Sequence, residues 1–254
     1  MRIVIKLGTS TLAYANGRLN IRRTEELCKV ISDLKNSGME VILVSSGAIG
    51  MGVGKLSLTE RPSDMASKQA AAAVGQCELM YVYDKLFSSH NHMVGQILIT
   101  AADVRYEDRH DNFRVTLNRL LEYGVIPVIN ENDSVATEEI VIGDNDTLAA
   151  IVATSAKADL LVLLSDINGL YSADPHKDPD AQLITEVRQI TDEILSLAGG
   201  KGSSLGTGGM KTKLDAAQIC MEAGCDMIIA NGSDPQILYD IAEGKPVGTR
   251  FLAS

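Results

Sequence analysis

Short, continuous apolar runs recur along this chain from one end to the other, and amphipathic segments separate them. Residues 2–7 (RIVIKL), 40–44, 93–99, 125–129, 159–164 and 226–230 are rich in Ile, Leu and Val. Most do not alternate apolar with polar residues. Strands of that kind are covered on both faces, as in a parallel sheet between layers of helix. Between the runs, residues 24–37 place Leu27, Val30, Ile31 and Leu34 on one helical face, with Glu25 and Glu26 in the first turn and Gly38 beyond the end. Residues 111–123 do the same with Phe113, Leu117, Leu120 and Leu121, and stop at Gly124. Residues 63–87 form a long Ala-rich helical stretch, and residues 208–223 form a later one before Gly224. This alternation predicts an α/β fold with a mainly parallel sheet. No linker, low-complexity tract or internal repeat divides the chain, so residues 1–254 are expected to form a single domain. The longest irregular run, residues 169–183, predicts a surface loop.

Composition narrows the partners. Aromatic residues make up 4% of the chain and Trp is absent, so the core must be aliphatic. A net charge of −10 argues against binding nucleic acid through bulk charge. No apolar run approaches the roughly 18 residues that suggest a membrane-spanning helix, and the N-terminus opens directly into a strand rather than a signal peptide. Cys28, Cys77, Cys220 and Cys225 form no C-x-x-C pair, and no His pair has zinc spacing. Free thiols in a reducing compartment, hence a cytoplasmic protein, are expected.

In a parallel α/β sheet, ligands gather at the carboxyl ends of the strands. Three loops there stand out. Lys6 closes the first strand and Gly8 follows it. Ser45-Ser46-Gly47-Ala48 follows the second and continues to Gly50, Gly52 and Gly54. Residues 206–213 (GTGGMKTK) open a late helix. Glycines free backbone N–H groups for an anion, and a helix N-terminus adds partial positive charge. Each loop alone is as well explained by a tight turn. Neither the P-loop pattern nor a G-x-G-x-x-G after the first strand is present, which excludes a P-loop NTPase and a clear dinucleotide fold.

Two polar clusters complete the set. Asn130-Glu131-Asn132-Asp133-Ser134 follows the run VIPVI, and its acid and amides suit an ammonium group. Gly143-Asp144-Asn145-Asp146 opens the helix containing residues 148–155, where capping is an equally good reading. Ser165-Asp166 ends another strand and reads as a turn or as a contact for a nucleotide or metal. Lys6 and Lys213, each beside a glycine loop, suit a pair that neutralises a transferring phosphoryl group. For Lys213 alone, a surface lysine or a salt bridge is the better reading.

The motifs VIKLGTS, VSSGAIG, SKQAAAAVGQ, VIPVINENDSVA, IGDND, SDINGLYSADP, GTGGMKTK and GTRF occur in this order. On them the chain resembles the glutamate 5-kinases of the amino acid kinase family over essentially its whole length. The resemblance implies a three-layer α/β/α sandwich with about eight strands, mostly parallel. It implies ATP and Mg²⁺, with L-glutamate as acceptor, and γ-glutamyl phosphate as the product that opens proline synthesis. Ser46, Asp133 and Asn145 match glutamate-binding positions, and Gly47 and Asn130 are placed with them. Lys6, Gly8, Ser165, Asp166, Thr207, Gly208, Gly209, Met210, Lys211, Thr212 and Lys213 are assigned to ATP. Lys6, Lys213 and Asp146 are the catalytic set, with Asp146 organising the two lysines. Mg²⁺ is expected on the phosphates of ATP rather than on protein ligands. A homodimer or homotetramer and feedback inhibition by proline are also implied. Many members carry a C-terminal PUA domain, which this chain is expected to lack.

Other readings compete. A kinase for N-acetylglutamate would not need Asp133, because an acylated amine carries no charge. An aspartate kinase usually carries regulatory extensions, and a uridylate kinase needs a base pocket not evident here. A non-catalytic sensor of nucleotide or amino acid has no use for Lys6, Lys213 and Asp146 together.

Overall fold

The structure, a computed structural model, describes residues 1–14, 18–135, 145–175, 177–198 and 209–253. In chain order the elements are β1 (Arg2–Leu7), α1 (Thr9–Leu12), α2 (Ile21–Asn36), β2 (Glu40–Ser45), α3 (Ala48–Lys55), α4 (Met65–Ser88), β3 (Val94–Ile99), α5 (Ala101–Arg105), α6 (Glu107–Glu122) and β4 (Ile126–Glu131). There follow α7 (Asn145–Ser155), β5 (Leu160–Ser165), β6 (Leu170–Tyr171), β7 (Leu183–Ile184), β8 (Glu186–Val187), α8 (Asp192–Ser196), α9 (Met210–Glu222), β9 (Asp226–Asn231), α10 (Ile237–Ala242) and β10 (Thr249–Phe251).

Eight strands form one sheet in the order β3-β4-β2-β1-β5-β9-β10-β8. Only the β9–β10 pairing is antiparallel. The sheet is therefore mostly parallel, as expected. β1 lies at its centre, with β2 on one side and β5 on the other. The chain leaves β1 toward β2 on one side and leaves β5 toward β9 on the other, so a crevice opens at the carboxyl ends of β1 and β5, where such folds bind ligands.

Side-chain alternation divides the core into two layers. Ile3, Ile5, Val41, Leu43, Val162 and Ile228 pack toward α2 and α4. Val4, Ile42, Val44, Leu161, Leu163 and Ile229 pack toward α6, α7 and α9. Because strand side chains alternate, Lys6 projects on the same face as Val4, toward α7 and α9. That parity settles which helices can supply its partner.

Several boundaries differ from the sequence reading, each for a local reason. α2 starts a turn early because the Asn20 side chain accepts from the Arg23 backbone N–H. Asn130 and Glu131 belong to β4 rather than to the loop after it, being paired with Leu98 and Ile99 of β3. Gly50, Gly52 and Gly54 lie within α3, and only Gly47 of that run has a left-handed backbone, with φ of 103°. The ends of the expected 169–183 loop pair as the small antiparallel ribbon β6–β7. β8 and β10 are too short to show a period in the sequence.

The glycines of α3 have a packing role. A Cβ on Gly52 would overlap the Ala71 carbonyl, and one on Gly75 would overlap the Ala48 carbonyl. α3 and α4 are thus in backbone contact, which fixes the Ser46–Gly47 turn against α4. Gly75→Ala should destabilise the protein by at least about 3 kcal/mol, since neither backbone can yield cheaply. Urea unfolding measures this, and a midpoint equal to the wild type would contradict the close crossing.

Candidate active site

The carboxyl end of β1 carries a buried ion triad. Asp146, in the first turn of α7, is 1% exposed. Its Oδ1 lies 2.7 Å from Lys6 Nζ and its Oδ2 lies 3.0 Å from Lys213 Nζ. Thr212 Oγ1 donates to the same Oδ2 at 3.1 Å and to the Gly209 carbonyl. Burial raises the pKa of Asp146, but the charges and hydrogen bonds of Lys6 and Lys213 outweigh it and hold the carboxyl below the usual range. Lys213 sits in the first turn of α9, where the helix dipole disfavours a cation, so Asp146 offsets that cost too. Two ammonium groups and one carboxylate leave the triad with net positive charge in an acidic protein.

Gly8 lies directly over this triad. Its backbone is extended, so its value is space: a Cβ there would stand 3.8 Å from Lys6 Nζ and 3.4 Å from the Leu164 carbonyl. On the β2–β4 side, the Ser46 N–H donates to the Leu7 carbonyl at 3.1 Å, tying the Gly47 turn to the end of β1. Asn145, one residue before Asp146, donates from Nδ2 to Ser46 Oγ at 2.7 Å, to Asn130 Oδ1 at 3.0 Å and to the Ser45 carbonyl at 3.2 Å. Asp133, just past β4, is half-buried, and desolvation raises its pKa above the ordinary aspartate value. On the β5–β9 side, Ser165 Oγ donates to Asp166 Oδ1 at 3.2 Å beside Asn231, its register partner on β9.

The structure therefore brings Lys6, Gly8, Asp146, Thr212 and Lys213 together, flanked by Ser46, Gly47, Asn130 and Asn145. Asp133 lies at the end of the same strand as Asn130, and Ser165 and Asp166 lie at the end of β5. Gly209 and Met210 open α9. Lys211 points away and pairs with Asp215 one helical turn on, at 3.2 Å and exposed. Thr207 and Gly208 lie outside the described residues. Among the described residues, no group of three His, Cys, Asp or Glu gathers to hold a metal ion. Asp146, with both oxygens on ammonium groups, fits a metal poorly.

Three participants escaped the sequence reading. Gln76 of α4 donates from Nε2 to Gln96 Oε1 and accepts from Asn130 Nδ2, both at 3.0 Å. The signal was present: Ala71, Ala72, Gly75, Gln76, Leu79 and Tyr83 form the buried face of α4, and Gln76 is an amide on that face. Tyr83 hydrogen-bonds Ser45 Oγ at 2.8 Å, and burial pushes its phenol pKa up. Arg61 shares a cleft of about 380 Å³ with Thr9, Ser10, Ser46 and Gly47. A larger cleft of about 520 Å³, between the start of α2 and the turn after β9, includes none of the expected site residues.

Comparison with known proteins agrees with this geometry. Residues 1–231 match the profile of the amino acid kinase family. The chain is 54% identical to a glutamate 5-kinase of Listeria innocua, covering 99% of this chain and 93% of that one. It is 52% identical to a glutamate 5-kinase of Clostridium perfringens, covering 99% and 95%. Among solved structures, a carbamate kinase from Giardia lamblia bound to AMP-PNP superposes with a TM-score of 0.71 at 18% identity, covering 100% of this chain and 98% of that one. A UMP kinase from Bacillus anthracis gives 0.67 at 17% identity, covering 99% and 95%. These two establish likeness of fold.

Asp146→Ala should cost about 3–5 kcal/mol, because it leaves two buried ammonium groups without their counter-ion. A carboxyl whose pKa is depressed on folding stabilises above its unfolded value and loses that contribution as pH falls through the folded one. The deficit should therefore be constant from neutral pH to about pH 5 and shrink only below ~3.9. Urea unfolding across that range checks it.

Proposed function

This chain belongs to the glutamate 5-kinases of the amino acid kinase family, and from that premise we propose that it moves the γ-phosphoryl group of ATP onto the side-chain carboxylate of L-glutamate. The product is L-glutamyl 5-phosphate, the first intermediate of proline synthesis. The observation that carries the reading is the position of the Lys6–Asp146–Lys213 triad. It lies at the end of the central strand, with Ser46, Asn130 and Asn145 on one side and Ser165 and Asp166 on the other.

The acceptor needs no general base. A glutamate side-chain carboxyl titrates near pKa ~4.3 and is already ionised at neutral pH. The obstacle is repulsion between an anionic nucleophile and an anionic nucleotide. Lys6 and Lys213 offset that charge from fixed positions, so no reorganisation is needed when it develops. Asp146 holds the ammonium groups apart and in place. The backbone N–H groups of Gly8 and Gly47 add donors where no Cβ obstructs them. Mg²⁺, carried on the phosphates of ATP, supplies further charge neutralisation. Asp133 receives the α-ammonium of glutamate, and Ser46, Asn130 and Asn145 orient the remainder for in-line attack. The β5–β9 side, with Ser165, Asp166 and the start of α9, takes the nucleotide.

The raised pKa of Asp133 favours L-glutamate over its N-acetyl derivative, since a neutral amide would leave that carboxylate unpaired. The free cysteines fit a reducing, cytoplasmic setting. Assembly as a homodimer or homotetramer and inhibition by proline are part of the same proposal and rest on the family alone.

Hydroxylamine traps an acyl phosphate as a coloured hydroxamate. With ATP and Mg²⁺, L-glutamate should yield hydroxamate at a far higher kcat/KM than N-acetyl-L-glutamate, whereas L-aspartate and UMP should yield none. A higher kcat/KM with another acid would relocate the substrate, and ATP binding without turnover would favour a sensor. Lys6→Ala and Lys213→Ala should each lower kcat at least ~100-fold while circular dichroism stays that of a folded protein. Near-normal turnover in either would sink the assignment.

Asp133 sets a pH dependence. Its carboxyl protonates at a higher pH than an ordinary aspartate, and only the ionised form attracts an ammonium. kcat/KM for glutamate should therefore fall as pH drops through that raised value. In Asp133→Asn, KM for glutamate should rise far more than KM for ATP, and the acid limb should move down to the substrate's own ionisation. An unmoved limb would remove Asp133 from this role.

A further inference from the structure

Four side-chain amides form a one-way chain from the edge of the sheet to the acceptor side of the crevice. Asn145 Nδ2 donates to Asn130 Oδ1, Asn130 Nδ2 donates to Gln76 Oε1, and Gln76 Nε2 donates to Gln96 Oε1, each at 3.0 Å. An isolated amide can present either end to a neighbour, but these cannot. The Glu131 backbone N–H donates to Asn130 Oδ1 at 2.9 Å, and the Ser45 carbonyl accepts from Asn145 Nδ2, so groups unable to reverse fix the direction. Asn130 and Gln76 are 3% and 8% exposed, so a broken link leaves a buried polar group without water to replace it.

The direction has a chemical result. The Asn145 NH₂ group is committed to protein acceptors, and no described donor reaches its Oδ1. Asn145 therefore offers a ligand only an acceptor. Ser46 Oγ accepts from Asn145, which leaves the Ser46 hydroxyl hydrogen for an anion. An acceptor oxygen near a carboxylate suits the donors of a free ammonium. It suits an N-acyl group badly, because that carries one N–H, no charge, and a carbonyl in need of a donor.

Resting on the functional reading above, we propose that Gln76 is a positioning residue that locks Asn130, and through it Asn145, so that the acceptor site selects a free α-ammonium over an acylated nitrogen. Gln76 touches no substrate in this arrangement. The Glu131 backbone N–H holds the Asn130 oxygen and Gln76 supplies the carbonyl that holds its NH₂ group, so both ends of the amide are tied.

The test compares Gln76→Leu with Gln76→Glu. Leucine removes the acceptor for Asn130 Nδ2. Glutamate retains an oxygen there, and the exposed Gln96 can turn its NH₂ toward it. Gln76→Leu should raise KM for L-glutamate about 10-fold, the scale of one lost buried acceptor, and leave KM for ATP within about twofold. The ratio of kcat/KM for L-glutamate to that for N-acetyl-L-glutamate should fall by a similar factor. Gln76→Glu should recover most of both. Equal losses for both acceptors, a parallel rise in KM for ATP, or an unmoved KM for glutamate in Gln76→Leu would overturn the proposal. The side-chain amide resonances of Asn145 in ligand-free protein give a readout that does not depend on which acid is phosphorylated. They should be a sharp pair in wild type and Gln76→Glu and shifted and broadened in Gln76→Leu by exchange between side-chain orientations, and an unchanged pair in Gln76→Leu would refute the lock. A wild-type enzyme that ignored glutamate would refute the functional reading and leave the lock to be judged from these resonances.

Discussion

Asp146 is the constraint around which the site is organised. Two ammonium groups within 3.0 Å of one carboxylate could not both stay charged in a nearly dry site without it. Such pairs contribute little net stability, because desolvation consumes most of the attraction. Their value is placement. Lys6 is aimed by strand parity, Lys213 by the first turn of α9, and Asp146 by the first turn of α7. Three rigid elements therefore meet at one point, and positive charge waits there before any anion arrives.

The acceptor side is positioned by a different kind of force. An exposed Lys55–Glu78 ion pair at 2.8 Å spans α3 and α4, but the close approach of the two helices is set by bare backbone contact at Gly52 and Gly75. That contact sets the depth of the Ser46–Gly47 turn relative to α4, and hence lets Gln76 of α4 reach Asn130 of β4. Charge thus places the triad, while close packing and neutral amides place the residues proposed to hold the acceptor.

Much of this was legible in the sequence. Continuous Ile, Leu and Val runs announced buried parallel strands, and six of the eight sheet strands were found from them. β8 and β10 were not, because two or three residues carry no period. Lys6, Asp146 and Lys213 were each visible as oddities, yet spacing alone could not show that they touch; the family resemblance supplied that link. Gly50, Gly52 and Gly54 were read as loop because glycine signals a turn locally, whereas all three lie within α3 and the close approach to Ala71 requires a glycine at position 52. Gln76 entered only as the last residue of the motif SKQAAAAVGQ and was given no role, because the Ala-rich stretch does not say what its buried face meets; its partners Asn130 and Gln96 are distant in sequence.

The central place of β1 also bears on how the molecule is made. β1 precedes the other strands of the sheet in the chain, but its neighbours are β2, nearby in sequence, and β5, which begins at Leu160. The last member of the triad, Lys213, is later still. Contacts between residues so far apart form slowly, since the long intervening chain must be ordered first. A growing chain can therefore build the β2–β1 half of the sheet early, while its lysine pair stays incomplete until α9 has been synthesised and docked. Fragments that end before α9 hold at most the Lys6–Asp146 pair and lack Lys213, so the triad is completed in a single late step.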